Sequence, residues 1–170
     1  MSAGRKERAG DAVRRFPLNR MRVVAQRVSR ASVDVGGKMI SRIGPGLLLL
    51  VGIEKGDGEK EIAFMADKIL NLRIFADADD KMNLSVQDIQ GEILSISQFT
   101  LAAHMKKGRR PGFSNAEEPE RAAAMVSLFN SLMAAAVPVA TGVFGAMMDV
   151  HSVNNGPVTI ILEKIKNEPG

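Results

Sequence analysis

Apolar and polar residues alternate with a period of two at Ala31–Val35, which predicts a strand, and the apolar-rich segment Val23–Val28 before it is also predicted as a strand. The turn Gly36-Gly37 then leads into a return strand at Lys38–Ile43. Leu47–Ile53 follows as a continuous apolar run, which is typical of a strand buried on both faces.

The apolar spacing changes to three and four residues in two later segments, which predicts two helices at 58–71, capped by Asp57, and at 122–136. Further strands are predicted between and after them, at Leu72–Phe75, Glu92–Ser97, Val137–Thr141, Ala146–Val153 and Val158–Leu162. Hairpin-like pairs in this order exclude a simple strand–helix–strand repeat. The pattern therefore indicates an α/β protein with a mixed or largely antiparallel sheet.

Composition narrows the possible function classes. A chain of 170 residues with 45% apolar and 25% charged residues predicts one globular domain rather than a disordered or membrane protein. The absence of cysteine excludes disulfides, cysteine-based metal sites and a cysteine nucleophile. With only His104 and His151 as histidines, we expect no metal site and no cofactor.

The net charge of +4 belongs to the N-terminal stretch. Residues 1–20 hold six basic and two acidic residues, so the remainder is neutral overall. This stretch lacks apolar periodicity and the apolar core of a secretory signal. We predict a disordered extension at 1–20, a single domain at 21–165, a short tail at 166–170, and a cytoplasmic location without membrane attachment.

Two polar segments are candidates for chemistry. Ser97-Gln98-Phe99-Thr100, the strand-end segment, places hydroxyl and amide groups where a buried strand emerges. Asn154-Asn155-Gly156-Pro157-Val158-Thr159, the bend, contains a Gly-Pro peptide that is able to adopt the cis form and present two carbonyl oxygens side by side. The plainer interpretations are a strand end that satisfies its own turn hydrogen bonds and an ordinary tight turn.

Four positive charges cluster in the otherwise neutral body, at Lys106, Lys107, Arg109 and Arg110. They predict either phosphate binding or a solvated surface run. His104 follows Thr100 closely enough to suggest a base for its hydroxyl, although spacing alone does not establish a catalytic triad.

The strand-end segment and the bend together resemble the two signature motifs of the D-aminoacyl-tRNA deacylase family. The resemblance covers residues 21–163, including Met21–Val28, Gly44–Leu47, Lys68–Phe75, Lys81–Ser85, Lys107–Pro111 and Phe144–Ala146. It implies a single α/β domain with a mixed, largely antiparallel and barrel-like sheet and two main helices. It also implies a homodimer with active sites at the subunit interface.

The resemblance further implies hydrolysis of the ester that joins a D-amino acid, or glycine mischarged on alanine tRNA, to the 3′-terminal adenosine of tRNA. Ser97, Gln98, Phe99 and Thr100 would form the catalytic pocket. A cis Gly156-Pro157 from the partner would exclude L-amino acids, giving chiral proofreading in translation. Further residues would bind substrate or hold the bend in place, namely Arg27, Asn154, Val158 and Thr159.

The resemblance leaves the chemistry open between two mechanisms. In one, the ribose 2′-hydroxyl of the substrate assists and the side chains position it; in the other, Thr100 is the nucleophile. The lack of cysteine and the scarcity of histidine favour the first. Ala102 and Ala103 depart from the family pattern, in which an aromatic residue is common. The alternatives to this function are an inactive RNA- or amino-acid-binding homologue and a threonine-dependent hydrolase of another ester.

Overall fold

The structure of the chain, a computed structural model, describes residues 20–106 and 108–165. The predicted extension up to residue 19, Lys107 and the predicted tail 166–170 lie outside the described residues. The elements in chain order are β1 (Arg20–Val35), β2 (Lys38–Ile43), β3 (Gly46–Gly52), α1 (Glu59–Leu70), β4 (Phe75–Ala76), β5 (Met82–Leu84), β6 (Glu92–Ser97), a 3₁₀ helix (Phe99–Ala102), α2 (Pro119–Ala134), β7 (Val139–Thr141) and β8 (Asp149–Ile165).

The sheet is mixed and curls into a nearly closed barrel. Strand β1 pairs antiparallel with β2, β3 and β8, whereas β3–β6 and β6–β7 are parallel pairs. The Ser41 hydroxyl of β2 donates to the backbone carbonyl of Thr141 in β7 at 2.7 Å, which links the two ends of the curled sheet. The predicted fold class, one α/β domain with a barrel-like mixed sheet and two main helices, is confirmed.

Two predicted strand boundaries were wrong, because long strands run through them. Ser29 and Arg30 interrupt the apolar pattern, yet β1 continues through both because β8 pairs with it on either side of a register shift. Strand β8 likewise runs from Asp149 to Ile165 and contains the whole bend, which was predicted as a turn between two strands. Pairing with a neighbouring strand thus overrides the local sequence signal.

Three smaller predictions also differ. The segment Leu72–Phe75 contributes only the start of the two-residue β4, which pairs with β5. Helix α2 begins at Pro119 rather than Ala122, with the proline in its first turn, where no intrahelical donor is required. Helix α1 is capped by Gly58, whose backbone N–H donates to the Glu61 side chain at 2.8 Å.

Asp57, the predicted cap of α1, has a different role. Its carboxylate is buried and accepts from the Glu54 backbone N–H at 2.8 Å. Burial is the main reason that the pKa of Asp57 rises from its ordinary value to about 7. Because its pKa is raised in the folded state, this carboxyl contributes stability at acidic pH that is lost as the pH rises towards and through 7.

The core lies on both faces of the sheet, as the apolar run of β3 predicts. Leu47 and Leu49 face the helices and pack in a cluster with Phe129 of α2, while Leu48 belongs to a second cluster inside the barrel with Leu94. None of the helices in residues 20–106 and 108–165 is long and apolar enough to cross a membrane.

The parallel contact between β3 and β6 depends on the absence of a side chain at Gly46. A Cβ there would overlap the backbone of Glu92, the residue opposite it in β6. We therefore expect Gly46→Ala to lower the free energy of unfolding by about 3 kcal/mol or more, since the clash is with backbone that cannot rotate away. Urea denaturation measures the loss.

The matched control is Gly44→Ala in the same turn. A Cβ at Gly44 meets only the Glu92 side chain, at 3.4 Å, so we expect a change below about 1 kcal/mol. Equal stability of the two variants would contradict the assignment of a close strand contact to Gly46.

Candidate functional site

The strand-end segment leaves β6 and immediately turns into the short 3₁₀ helix. The Gln98 N–H donates to the Val51 carbonyl at 2.8 Å, and the Leu101 N–H donates to the Gln98 carbonyl at 3.1 Å. The Gln98 side-chain amide donates to the Thr100 hydroxyl oxygen. Some polar groups of the segment therefore form hydrogen bonds within its own turn, while Phe99 and Thr100 remain exposed at the surface.

A cavity of about 350 Å³ adjoins this segment on the helix-facing side of β6. Ser95 and Ser97 line it from β6, Asn130 from α2, and Phe144 and Met148 from the connection that leads to β8. The Ser95 hydroxyl and the Asn130 side-chain oxygen are buried and have no hydrogen-bond partner among the described residues. Unpaired buried polar groups beside apolar walls are typical of a ligand site that holds both polar and flat apolar groups.

The bend is a segment of β8 that is closed by hydrogen bonds of its own. The Asn154 side chain closes it from within, accepting from the Val158 N–H at 3.0 Å and donating to the Thr159 hydroxyl at 3.1 Å. Val158 is buried in the core, whereas Gly156 and Pro157 are exposed and joined by a cis peptide bond. The bend is thus anchored at its base and exposed at its tip.

Arg27 of β1 fixes the bend to the body of the protein. Its Nε donates to the Asn155 carbonyl at 3.0 Å, and its Nη1 donates to the Ile74 carbonyl at 2.7 Å. Gly156 has a φ of +131°, and a Cβ there would lie 2.9 Å from Arg27 Nη2. Glycine is therefore required both by the backbone conformation and by the close approach of the guanidinium group.

The strand-end segment and the bend lie on different strands of the sheet within one chain, and β3 and β1 run between them. Ser97 at the end of β6 pairs with Val51 of β3, which lies opposite Val23 of β1. The bend lies near the middle of β1, with Thr159 opposite Gln26 and Asn154 opposite Val28. The two motifs are therefore three to five residues apart along β1, roughly 10–16 Å at ~3.3 Å per residue, and three strand spacings apart across the sheet, roughly 14 Å at ~4.8 Å per strand. One chain does not bring its two predicted motifs together.

The predicted basic residues lie in a loop that is closed at its base. His104 and Gly112 exchange two backbone hydrogen bonds, both of 2.9 Å, and Phe113 then packs edge-on against Phe99 at 5.1 Å between ring centroids. Lys106, Arg109 and Arg110 are exposed in this basic loop. The loop therefore presents positive charge next to the strand-end segment.

His104 does not serve Thr100 as a base in this structure. Its Nε2 lies 2.8 Å from the Ser114 hydroxyl, and the Thr100 hydroxyl is bonded to Gln98 instead. His151 lies on β8, 3.3 Å from a carboxylate oxygen of Asp34. Among residues 20–106 and 108–165, no group of three or more His, Cys, Asp or Glu side chains is placed to hold a metal ion.

Sequence reasoning missed two residues of the cavity for which a signal existed. Ser95 is two residues before Ser97 in an otherwise apolar strand, so both face the same side of the sheet. Asn130 stands four residues after Val126 on the buried face of α2, where a polar residue is unusual. Both exceptions to the apolar pattern point to the cavity.

Comparisons with known proteins match this chain to one family model and to solved structures of similar fold. A family model described as D-Tyr-tRNA(Tyr) deacylase matches residues 24–163. A solved structure named c-Myc DNA Unwinding Element Binding Protein is 46% identical, with a TM-score of 0.81, over 85% of this chain and 99% of that chain. A second, titled as a probable eukaryotic D-amino acid tRNA deacylase, is 18% identical with a TM-score of 0.73, over 85% and 100%. At that identity the second match shows a shared fold.

Proposed function

Because the chain belongs to the D-Tyr-tRNA(Tyr) deacylase family and is therefore a hydrolase, we propose that it cleaves the ester between a D-amino acid and the 3′-terminal adenosine of tRNA. The products are the free D-amino acid and tRNA, and the same site removes glycine mischarged on alanine tRNA. This activity is chiral proofreading of translation, carried out in the cytoplasm by the domain at 21–165.

The observation that carries this proposal is that the cavity and the strand-end segment are continuous. Ser97 lines the cavity and also begins the segment. We assign the cavity to the terminal nucleoside, whose base would face Phe144 and Met148 and whose polar edge would meet Ser95 and Asn130. The ester carbonyl of that nucleoside would then lie over residues 97–100, where hydroxyl, amide and backbone N–H donors are close together.

The arrangement around Thr100 favours assistance by the substrate. The group bonded to the Thr100 hydroxyl is an amide donor, which does not accept its proton, and His104 is bonded to Ser114. We therefore propose that Thr100, Gln98 and Ser97 position the ester and stabilise charge on its carbonyl oxygen. The neighbouring ribose 2′-hydroxyl would assist the attack of water. Positioning and oxyanion stabilisation suit an ester, which is a comparatively reactive bond.

Selection against L-amino acids would come from a second copy of the chain. The tip of the bend is exposed, and two strands, β1 and β3, separate the bend from the strand-end segment of its own chain. In a homodimer, the bend of one chain would enter the site of the other. Its Gly156 and Pro157 carbonyls would face the substrate amino group and leave no room for an L side chain, while accepting glycine and D side chains.

The basic loop would contact the acceptor end of the tRNA. Lys106, Arg109 and Arg110 are exposed beside Phe99, so phosphates that follow the terminal nucleoside would pass near them. Lys107 is proposed for the same role from its place in the sequence. These contacts would add affinity without selecting the amino acid.

The first test is hydrolysis of matched D-aminoacyl-, glycyl- and L-aminoacyl-tRNA. We expect release of the D-amino acid and of glycine, with the L-ester intact. Thr100→Ala should stay within about tenfold of the wild-type rate, because the threonine only positions the ester. Thr100→Ser, which keeps the hydroxyl, is the matched control.

Two results would overturn parts of this proposal. Loss of more than about a thousandfold in Thr100→Ala, with Thr100→Ser active, would establish a nucleophilic threonine. Protection of every ester from spontaneous hydrolysis would instead indicate a binding protein without turnover.

The second test mixes two chains, each impaired in a different half of the proposed site. One carries Phe99→Ala with Thr100→Ala, and the other carries Gly156→Ala, which distorts the bend through its positive φ. If each site takes the strand-end segment from one chain and the bend from the other, a mixed dimer holds one intact site. We expect about half the wild-type rate per mixed dimer, although each variant alone loses roughly a hundredfold or more.

Asn155→Ala, a change in the exposed neighbour of Gly156, is the control and should remain active alone. If the mixture is no more active than its two components, the site lies within one chain and the partner's role is refuted.

The third test neutralises the basic loop by changing Lys106, Arg109 and Arg110 to glutamine. We expect KM to rise and its dependence on salt to become shallower, by roughly one unit of log–log slope per lost phosphate contact, with kcat unchanged. The control neutralises three exposed lysines elsewhere, at Lys38, Lys60 and Lys81. Equal effects of the two sets would assign the result to overall charge.

A further inference from the structure

We propose that Arg22 is a positioning residue that orders the turn bearing Phe99 and Thr100. Arg22 lies on β1, far from the signature motifs in sequence, and its guanidinium joins the 3₁₀ helix to β8. The catalytic consequence of this inference rests on the proposed function, but the ordering of the turn can be measured without substrate.

The guanidinium of Arg22 bridges two partners. Its Nη1 donates to the Leu101 carbonyl at 2.6 Å, and its Nε lies 2.7 Å from a carboxylate oxygen of Glu163. Both charged side chains are about three-quarters buried, with 27% and 28% of their side-chain surface exposed. A planar guanidinium presents donors in fixed directions, so the bond to Glu163 also fixes the direction of the bond to Leu101.

The 3₁₀ helix requires support of this kind. It has only four residues, and helices this short form few internal hydrogen bonds and are weak by themselves. Its start is held by the Gln98–Val51 bond, and its middle rests on Gly52, where a Cβ would lie only 2.8 Å from Leu101 Cβ. Arg22 supplies the contact at the end of the helix, where backbone carbonyls lack helical partners.

Glu163 shapes the role of Arg22 in a second way. The carboxylate pairs with Nε of the guanidinium while Nη1 donates to the turn, so the positive charge is largely compensated. Arg22 is therefore suited to hold a neutral carbonyl in place rather than to attract a phosphate. This separates it in function from the exposed basic loop.

The test compares Arg22→Met, Arg22→Lys and Glu163→Gln with the wild type in the full-length chain. Two readouts are needed, steady-state hydrolysis of D-aminoacyl-tRNA and hydrogen exchange of the Leu101 and Ala103 amides, which donate within the turn. For Arg22→Met we expect kcat to fall about 10- to 100-fold with KM within about threefold, because a loosened turn misplaces the reacting groups. Exchange of the two amides should accelerate at least about tenfold.

The milder variants Arg22→Lys and Glu163→Gln test the inference even where Arg22→Met fails to fold. Arg22→Lys keeps the charge but not the forked geometry, so we expect an intermediate loss of kcat and of exchange protection. Glu163→Gln should lower kcat by about three- to tenfold, and combining it with Arg22→Met should add little, because both changes act through the same contact. Arg30→Met, at an exposed arginine of the same strand, is the matched control and should change neither readout.

The outcomes separate this inference from the proposed function. Unchanged exchange at Leu101 and Ala103 in all Arg22 and Glu163 variants would overturn it, as would a rise in KM with unchanged kcat, which would mark Arg22 as a tRNA contact. If the wild type hydrolyses no D-aminoacyl-tRNA but exchange still accelerates in Arg22→Met, the ordering role stands and the proposed function fails.

Discussion

The antiparallel pairing of β1 with β8 is the constraint on which the rest of the structure depends. It extends from Arg20 opposite Ile165 to Asp34 opposite Asp149, and β1 also holds β2 and β3 on its other edge. Strand β6 is then placed by its parallel pairing with β3. This register puts the strand-end segment level with the start of β1 and the bend near the middle of β1, with β3 and β1 between them, so the two motifs do not form one site within a single chain.

Local pattern was sufficient to predict most of the fold. The period of two in Ala31–Val35, the apolar run that became β3 and the two apolar helix faces all specify burial by themselves. The pattern failed where long-range pairing decides the outcome. Ser29 and Arg30 are exposed and polar, but the strand continues through them because β8 pairs with β1 both before and after the register shift at Ser29.

The residues of the candidate site also differ in whether the local sequence reveals them. The strand-end segment and the bend are short continuous stretches, so their residue types could be recognised directly in the sequence. Arg22 could not be found in this way, because its partners Leu101 and Glu163 are 79 and 141 residues away. Asn130 is an intermediate case, because the sequence shows that it is a polar residue on an apolar helix face. Its position beside Ser95 and Ser97 depends on how α2 packs on β6, which the local sequence does not specify.

The pairing of Arg20 with Ile165 brings the two ends of the described domain together. Neighbouring strands are about 4.8 Å apart, so a few residues would join these ends without disturbing β1 or β8. The tight turn at Gly36 and Gly37, exposed and remote from both motifs, then offers a place to open the chain. The domain is therefore suited to circular permutation. A molecule attached at either end of the described domain would be joined to it close to the Arg22–Glu163 contact.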